Sequence, residues 1–116
     1  MSQELSYGNL TIFSEKGDKF FLYLNGEKKN ETALAKVRVG KLTQLFYSVK
    51  IVYDEASHFT ISKNNVFIAD GDDNLMDAIY RITRSGSHAR LRFYAMNPVK
   101  DNHKETLLPG IDYTKT

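Results

Sequence analysis

The sequence predicts an all-β fold: a single antiparallel β-sandwich of about seven or eight strands with an irregular C-terminal tail. Three observations predict it. Turn residues punctuate the chain, often at close to the roughly 8–12-residue spacing of sandwiches and barrels. The segments between them alternate apolar and polar residues with the period of a half-buried strand. The 7 Phe and 7 Tyr suit strands and a small aromatic core.

Each element follows in order. A strand is expected over 9–14, between Gly8-Asn9 and the turn Lys16-Gly17-Asp18. Over 19–25, Phe20, Leu22 and Leu24 share one face, and Phe21 and Tyr23 the other. One set faces the core; the other needs a second layer, a partner or a ligand, and the plain expectation is a central strand covered on both sides. Asn25-Gly26 then makes a tight turn, because both residues tolerate the positive φ that it requires. Val37 and Val39 flank Arg38 in a strand over 34–39. Over 45–54, Tyr47, Val49, Ile51 and Tyr53 alternate with Ser48, Lys50, Val52 and Asp54. Short strands are expected at 58–62 and 66–69, separated by the turn Lys63-Asn64-Asn65.

The segment 75–84 reads two ways. Asn74 suits a helix cap, with Leu75, Ala78, Ile79 and Ile82 at helical spacing. As a strand it puts Met76, Ala78, Tyr80 and Ile82 on one face. The turn Ser85-Gly86-Ser87 and the clear strand at 88–96 favour a hairpin. In that last strand Ala89, Leu91, Phe93 and Ala95 alternate with Arg90, Arg92, Tyr94 and Met96. Pro98 ends it well. The expected division is a domain over 1–97 and a tail or linker over 98–116.

The length of 116 residues suits one domain with one core. Hydrophobic residues at 41% and charged residues at 26% mark a globular chain. A net charge of +2 gives no global field toward a polyanion. The absence of cysteine excludes disulfides, thiolate catalysis and cysteine-ligated metals. No apolar run approaches the roughly 20 residues of a membrane-spanning helix. Met1-Ser2-Gln3-Glu4 lacks a signal pattern, which leaves a cytoplasmic protein or an exported one without its leader.

Gly8-Asn9-Leu10-Thr11-Ile12, Glu15-Lys16-Gly17-Asp18, Phe21-Leu22-Tyr23-Leu24-Asn25-Gly26 and Tyr47-Ser48-Val49-Lys50-Ile51 together resemble the PEGA domain, a small exported bacterial β-sandwich. The turn Glu15-Lys16-Gly17-Asp18 lacks the proline and alanine of the namesake motif. The fuller pattern, to about Pro98, is similar to the amino-terminal domain of uncharacterised exported proteins of Gram-negative bacteria. That resemblance implies a periplasmic, cell-surface or secreted location and a linker after the domain. It carries no catalytic residue across.

Two groups of residues suggest chemistry. Asp70, Asp72, Asp73, Asn74 and Asp77 offer oxygens to a calcium ion, but Leu75 and Arg81 stand where an EF-hand needs glycine and glutamate. An acidic, solvated turn is the plainer reading. The second group is basic. No acid occurs over 78–100, which holds four of the five arginines. Arg90 and Arg92 share a strand face with Tyr94, and Arg81 or Arg84 joins them across the hairpin. Such a face suits phosphates, acidic glycans or single-stranded nucleic acid. The plainer reading is a solvated face that also protects a sheet edge.

Other combinations are weak. His58, His88 and His103 lack metal-site spacing, and no serine lies in Gly-x-Ser-x-Gly. Ser14, Asp54, Glu55 and His58 fit a nucleophile-and-base set only by chance. Asn9 and Asn30 head glycosylation acceptor triplets.

The expectation is therefore a non-catalytic binding or spacer module of an exported bacterial protein, with no cofactor and a protein or glycan partner. The alternative is an anion-binding module built on Arg81, Arg84, Arg90, Arg92 and Tyr94, with nucleic acid the less favoured ligand.

Overall fold

The computed structural model describes residues 7–54, 60–86 and 88–99. The described chain contains strands and turns. These are β1 (Gly8–Ser14), β2 (Phe20–Leu24), β3 (Glu27–Lys28), β4 (Lys36–Leu42), β5 (Phe46–Tyr53), β6 (Ile61–Phe67), β7 (Met76–Ser85) and β8 (His88–Pro98). Among the described residues no helix is long and apolar enough to cross a membrane.

Two four-stranded sheets form, in the orders β4-β1-β7-β8 and β3-β2-β5-β6. The second is antiparallel throughout. The first is mixed, because β1 runs parallel to β7, with Asn9 beside Asp77 and Ser14 beside Ile82. This corrects the expectation of a wholly antiparallel fold. Strand order causes it: a strand from the start of the chain lies between β4 and β7 rather than beside its sequence neighbour.

The two sheets share one hydrophobic core. Leu10, Ile12, Val37, Ala78, Ile82 and Leu91 of the first sheet meet Phe20, Leu22, Leu24, Val49, Ile51 and Val66 of the second. Each fully buried large side chain contributes roughly 1.5–3 kcal/mol by leaving water. The alternation read along 19–25, 45–54 and 75–84 appears directly in burial: Phe20, Leu22 and Leu24 are buried while Phe21 and Tyr23 are half-buried.

Other expectations are corrected. The segments 61–62 and 66–67 belong to one strand, β6, whose register shifts opposite Tyr47 and Val49. Asn65 absorbs the irregularity at φ 58°, so the expected turn is a bulge. Of the two readings of 75–84, the favoured strand holds: it is β7, Met76–Ser85. Asn25 and Gly26, at φ 50° and 85°, make the tight hairpin turn, but its second strand is only Glu27–Lys28. The strand expected at 34–39 becomes β4 and pairs with β1 in the other sheet. The β7–β8 register shifts between Ile79 and Tyr80 of β7, leaving Tyr94 of β8 as a bulge, so Met96 packs against the core where alternation predicts Ala95.

Polar side chains close the gaps between strands. Asn30 is buried and stands in for a strand beside β2. Its Oδ1 accepts the Leu22 N–H at 2.8 Å, and its Nδ2 donates to the carbonyls of Phe20 at 3.0 Å and Thr32 at 2.9 Å. The Tyr80 hydroxyl crosses between sheets and donates to the Phe67 carbonyl at 2.8 Å. Burial pushes the pKa of Tyr80 up. Tyr7, Pro98 and Val99 line one shallow pocket with Met76 and Asp70, so both ends of the described chain lie at one pole of the fold. Gly8 starts β1 there because a Cβ would approach the Met76 carbonyl to 2.9 Å and the Ile68 side chain to 3.0 Å.

Candidate binding face

β7 and β8 pair antiparallel, with Arg81 directly opposite Arg92 and Thr83 opposite Arg90. Directly paired residues share a face, and this one looks away from the core, since Ile82 and Leu91 between them are buried. The parallel neighbour β1 adds Phe13 beside Arg81, and β4 adds Lys36 beside Phe13. The result is a row of Lys36, Phe13, Arg81 and Arg92 across all four strands. At about 4.8 Å between strands it spans about 14 Å.

Tyr94 joins this row through the bulge. Its ring meets Phe13 edge-on, with centroids 5.2 Å apart, and the Arg81 guanidinium lies 5.2 Å from the same ring. Arg81 is additionally 3.9 Å from Glu15, too long for a hydrogen bond, and its buried Nε has no hydrogen-bond partner. Arg90 and Arg92 are exposed and make no ion pair among the described residues.

Arg84 does not belong to this face. It points to the other side of β7 and bonds Asp18 through Nε at 2.8 Å and Nη2 at 3.4 Å. Asp18 accordingly raises the Arg84 pKa. The parity of the strand explains the correction: Arg84 is three residues from Arg81, an odd step that reverses the side. Of the five expected residues, Arg81, Arg90, Arg92 and Tyr94 come together. Phe13 and Lys36 were missed, because only the non-sequential strand order brings β1 and β4 beside the hairpin.

The acidic stretch does not converge on a cation. Asp70 turns inward on its own loop, accepting the N–H groups of Asp72 at 2.8 Å and Asn74 at 2.9 Å, and the Asn74 side chain at 3.1 Å. These bonds hold its carboxyl below the usual range. Asp77 lies on the first sheet's outer face, 3.5 Å from Arg38. Among the described residues no three His, Cys, Asp or Glu are grouped to hold a metal ion. Glu55 and His58 lie outside the described residues, as do His103 and segment 100–116. Ser14 is occupied, its Oγ accepting the Asp18 N–H at 3.1 Å. Asn9 and Asn30 are both buried, which removes the glycosylation reading in the folded chain.

The second sheet's outer face is aromatic and basic. Among the described residues lysines, not a second layer, lie on the half-buried Phe21 and Tyr23; the tail expected to help cover them falls outside those residues. The ammonium of Lys28 is 4.4 Å from the Phe21 ring, and that of Lys50 is 5.4 Å from the Tyr23 ring. Phe46 and Phe67 pair beside them, both close to half exposed.

No protein-family model, curated protein or solved structure matches the chain. The likeness to the PEGA domain rests on the turn-and-strand motifs alone.

Proposed function

We propose that the chain is a β-sandwich binding module without catalysis, which engages an anionic partner through Arg81, Arg90, Arg92 and Tyr94. The observation that carries this is the direct opposition of Arg81 and Arg92. Like charges placed opposite each other destabilise a sheet. Within 78–100 no acid accompanies them; Glu15 reaches Arg81 only at 3.9 Å, and Arg90 and Arg92 make no ion pair among the described residues. A bound anion would offset the repulsion, and guanidinium groups suit bidentate oxygen acceptors. The PEGA-like turns support placement in an exported bacterial protein.

The test is titration of the full chain with a sulfated oligosaccharide, an oligonucleotide and polyglutamate at low salt. Binding that weakens steeply as salt rises, and is lost in Arg90→Ala/Arg92→Ala, is expected. No binding to any of the three at low salt overturns the reading.

A spacer is the second reading, favoured by the position of β8 at a sheet edge. There the arginines would serve only to keep sheets from joining edge to edge. It predicts that Arg90→Ala/Arg92→Ala makes the chain self-associate and that the parent chain binds none of the three polyanions.

A further inference from the structure

We propose that the partner is an extended acidic peptide, which adds to the outer edge of β8 as a further strand. This rests on reading the β7–β8 arginines as a binding face, and it names what binds there. Three observations carry it.

The first is the edge itself. β8 is the longest strand and ends its sheet; among the described residues only β7 pairs with it. Its other side therefore presents a row of backbone donors and acceptors to an incoming chain. The regular stretch 88–93 lies before the Tyr94 bulge. At about 3.3 Å per residue it accommodates about six residues of partner.

The second is the groove beside that edge. A cavity of about 650 Å³ opens between β8 and β6, lined by Ile61, Tyr80, Leu91 and Phe93 with Lys63 and Arg92 at its margin. Phe93 is 56% exposed although it packs edge-on against Tyr80, with centroids 5.7 Å apart. An added strand would direct every second side chain to this side and cover Phe93.

The third is charge. The alternate side chains of the added strand would face Arg90 and Arg92. Neither β6 nor β8 carries an acid, so the charged residues that these two strands bring to the site are cations. Carboxylates at alternate positions complement them. A second copy of this chain does not: pairing β8 with β8 would set arginines against arginines. The recognised pattern is thus acidic and apolar residues in alternation, read by the strand period of two.

The test uses the full ¹⁵N-labelled chain and the capped probe peptide Glu-Val-Glu-Val-Glu-Val. The controls are Glu-Glu-Glu-Val-Val-Val, Lys-Val-Lys-Val-Lys-Val and the probe with alternate backbone nitrogens methylated on the edge-facing side. The expected result is hydrogen-exchange protection of β8 amides over 88–93, with shifts at Ile61 and Lys63. N-methylation should weaken binding about tenfold or more, the scale of one or two lost hydrogen bonds. Arg92→Glu should lower affinity for the acidic probe and raise it for the lysine peptide. Equal binding of the block and methylated controls overturns strand addition. So do shifts confined to Phe13, Arg81 and Tyr94 without β8 protection, which leave the anion-binding face standing. Protection by a sulfated oligosaccharide or oligonucleotide but not by the peptide, or a β8-paired dimer of the free chain, also overturns it. If no polyanion of any class binds, both readings fall.

Discussion

Asn30 shows how much a single amide does in this fold. Two of its hydrogen bonds hold β2 and the third holds Thr32, so Asn30→Ala strands the buried Leu22 N–H, worth about 1–3 kcal/mol when unsatisfied, while the Phe20 carbonyl keeps the Leu34 N–H at 3.1 Å. Asn30→Asp should be no better, because a carboxylate would face the carbonyls of Phe20 and Thr32. Urea denaturation of both variants checks this, and parent-like midpoints would refute the role. Tyr80→Phe removes only the hydroxyl bonded to the Phe67 carbonyl and should cost about 1 kcal/mol. At this scale the sequence was least legible. Asn30 read as a glycosylation acceptor because its triplet is visible and its burial is not. Arg84 read as part of the basic face because its charge is visible and its partner, Asp18, is 66 residues away.

Among the elements, the two hairpin turns were the most legible, since backbone conformation there is dictated by residue type. Gly26 sits at φ 85°, where a side chain is strained, and Gly26→Ala should cost about 1–2 kcal/mol, measured by thermal unfolding. The β7–β8 hairpin sets Arg81 directly opposite Arg92. Arg92→Thr should leave the fold intact and stabilise it by about 0.2–1 kcal/mol at low salt, while lowering anion affinity. A destabilised Arg92→Thr protein would mean that Arg92 packs rather than repels. Bulges were the illegible part of the elements. Nothing in 61–67 or 88–98 distinguishes one irregular strand from two regular ones, because a bulge answers to the register of its neighbour.

For the whole molecule, the all-β class followed from alternation, and the sheet order did not. Alternation says which face of a strand is buried and is silent about which strand lies beside it. β1 illustrates the difference: it is central to its sheet, held by β4 and β7 from distant parts of the chain. Ile12→Ala in that strand should cost about 2–5 kcal/mol and shift the unfolding of both sheets together. Separate transitions by circular dichroism and tyrosine fluorescence would contradict the shared core. Stability should also depend on pH at both extremes. Burial raises the pKa values of Tyr53 and Tyr80, so their contribution is complete below the ordinary tyrosine value of about 10 and is lost as pH rises through the folded values. Asp70 has the opposite sign: its loop bonds hold above the ordinary carboxylate range and fail as pH falls through its lowered value. Amide shifts of Asp72 and Asn74 would report the second change. Finally, Tyr7 and Val99 share one pole, with β7 between the strands to which they lead. Tension applied through those two points would not load the ladders in shear. It would peel β1 and β8 from β7 one hydrogen bond at a time, like a zip opened from its end. The fold would hang from whatever carries it as a pendant, adding little reach and yielding at low force.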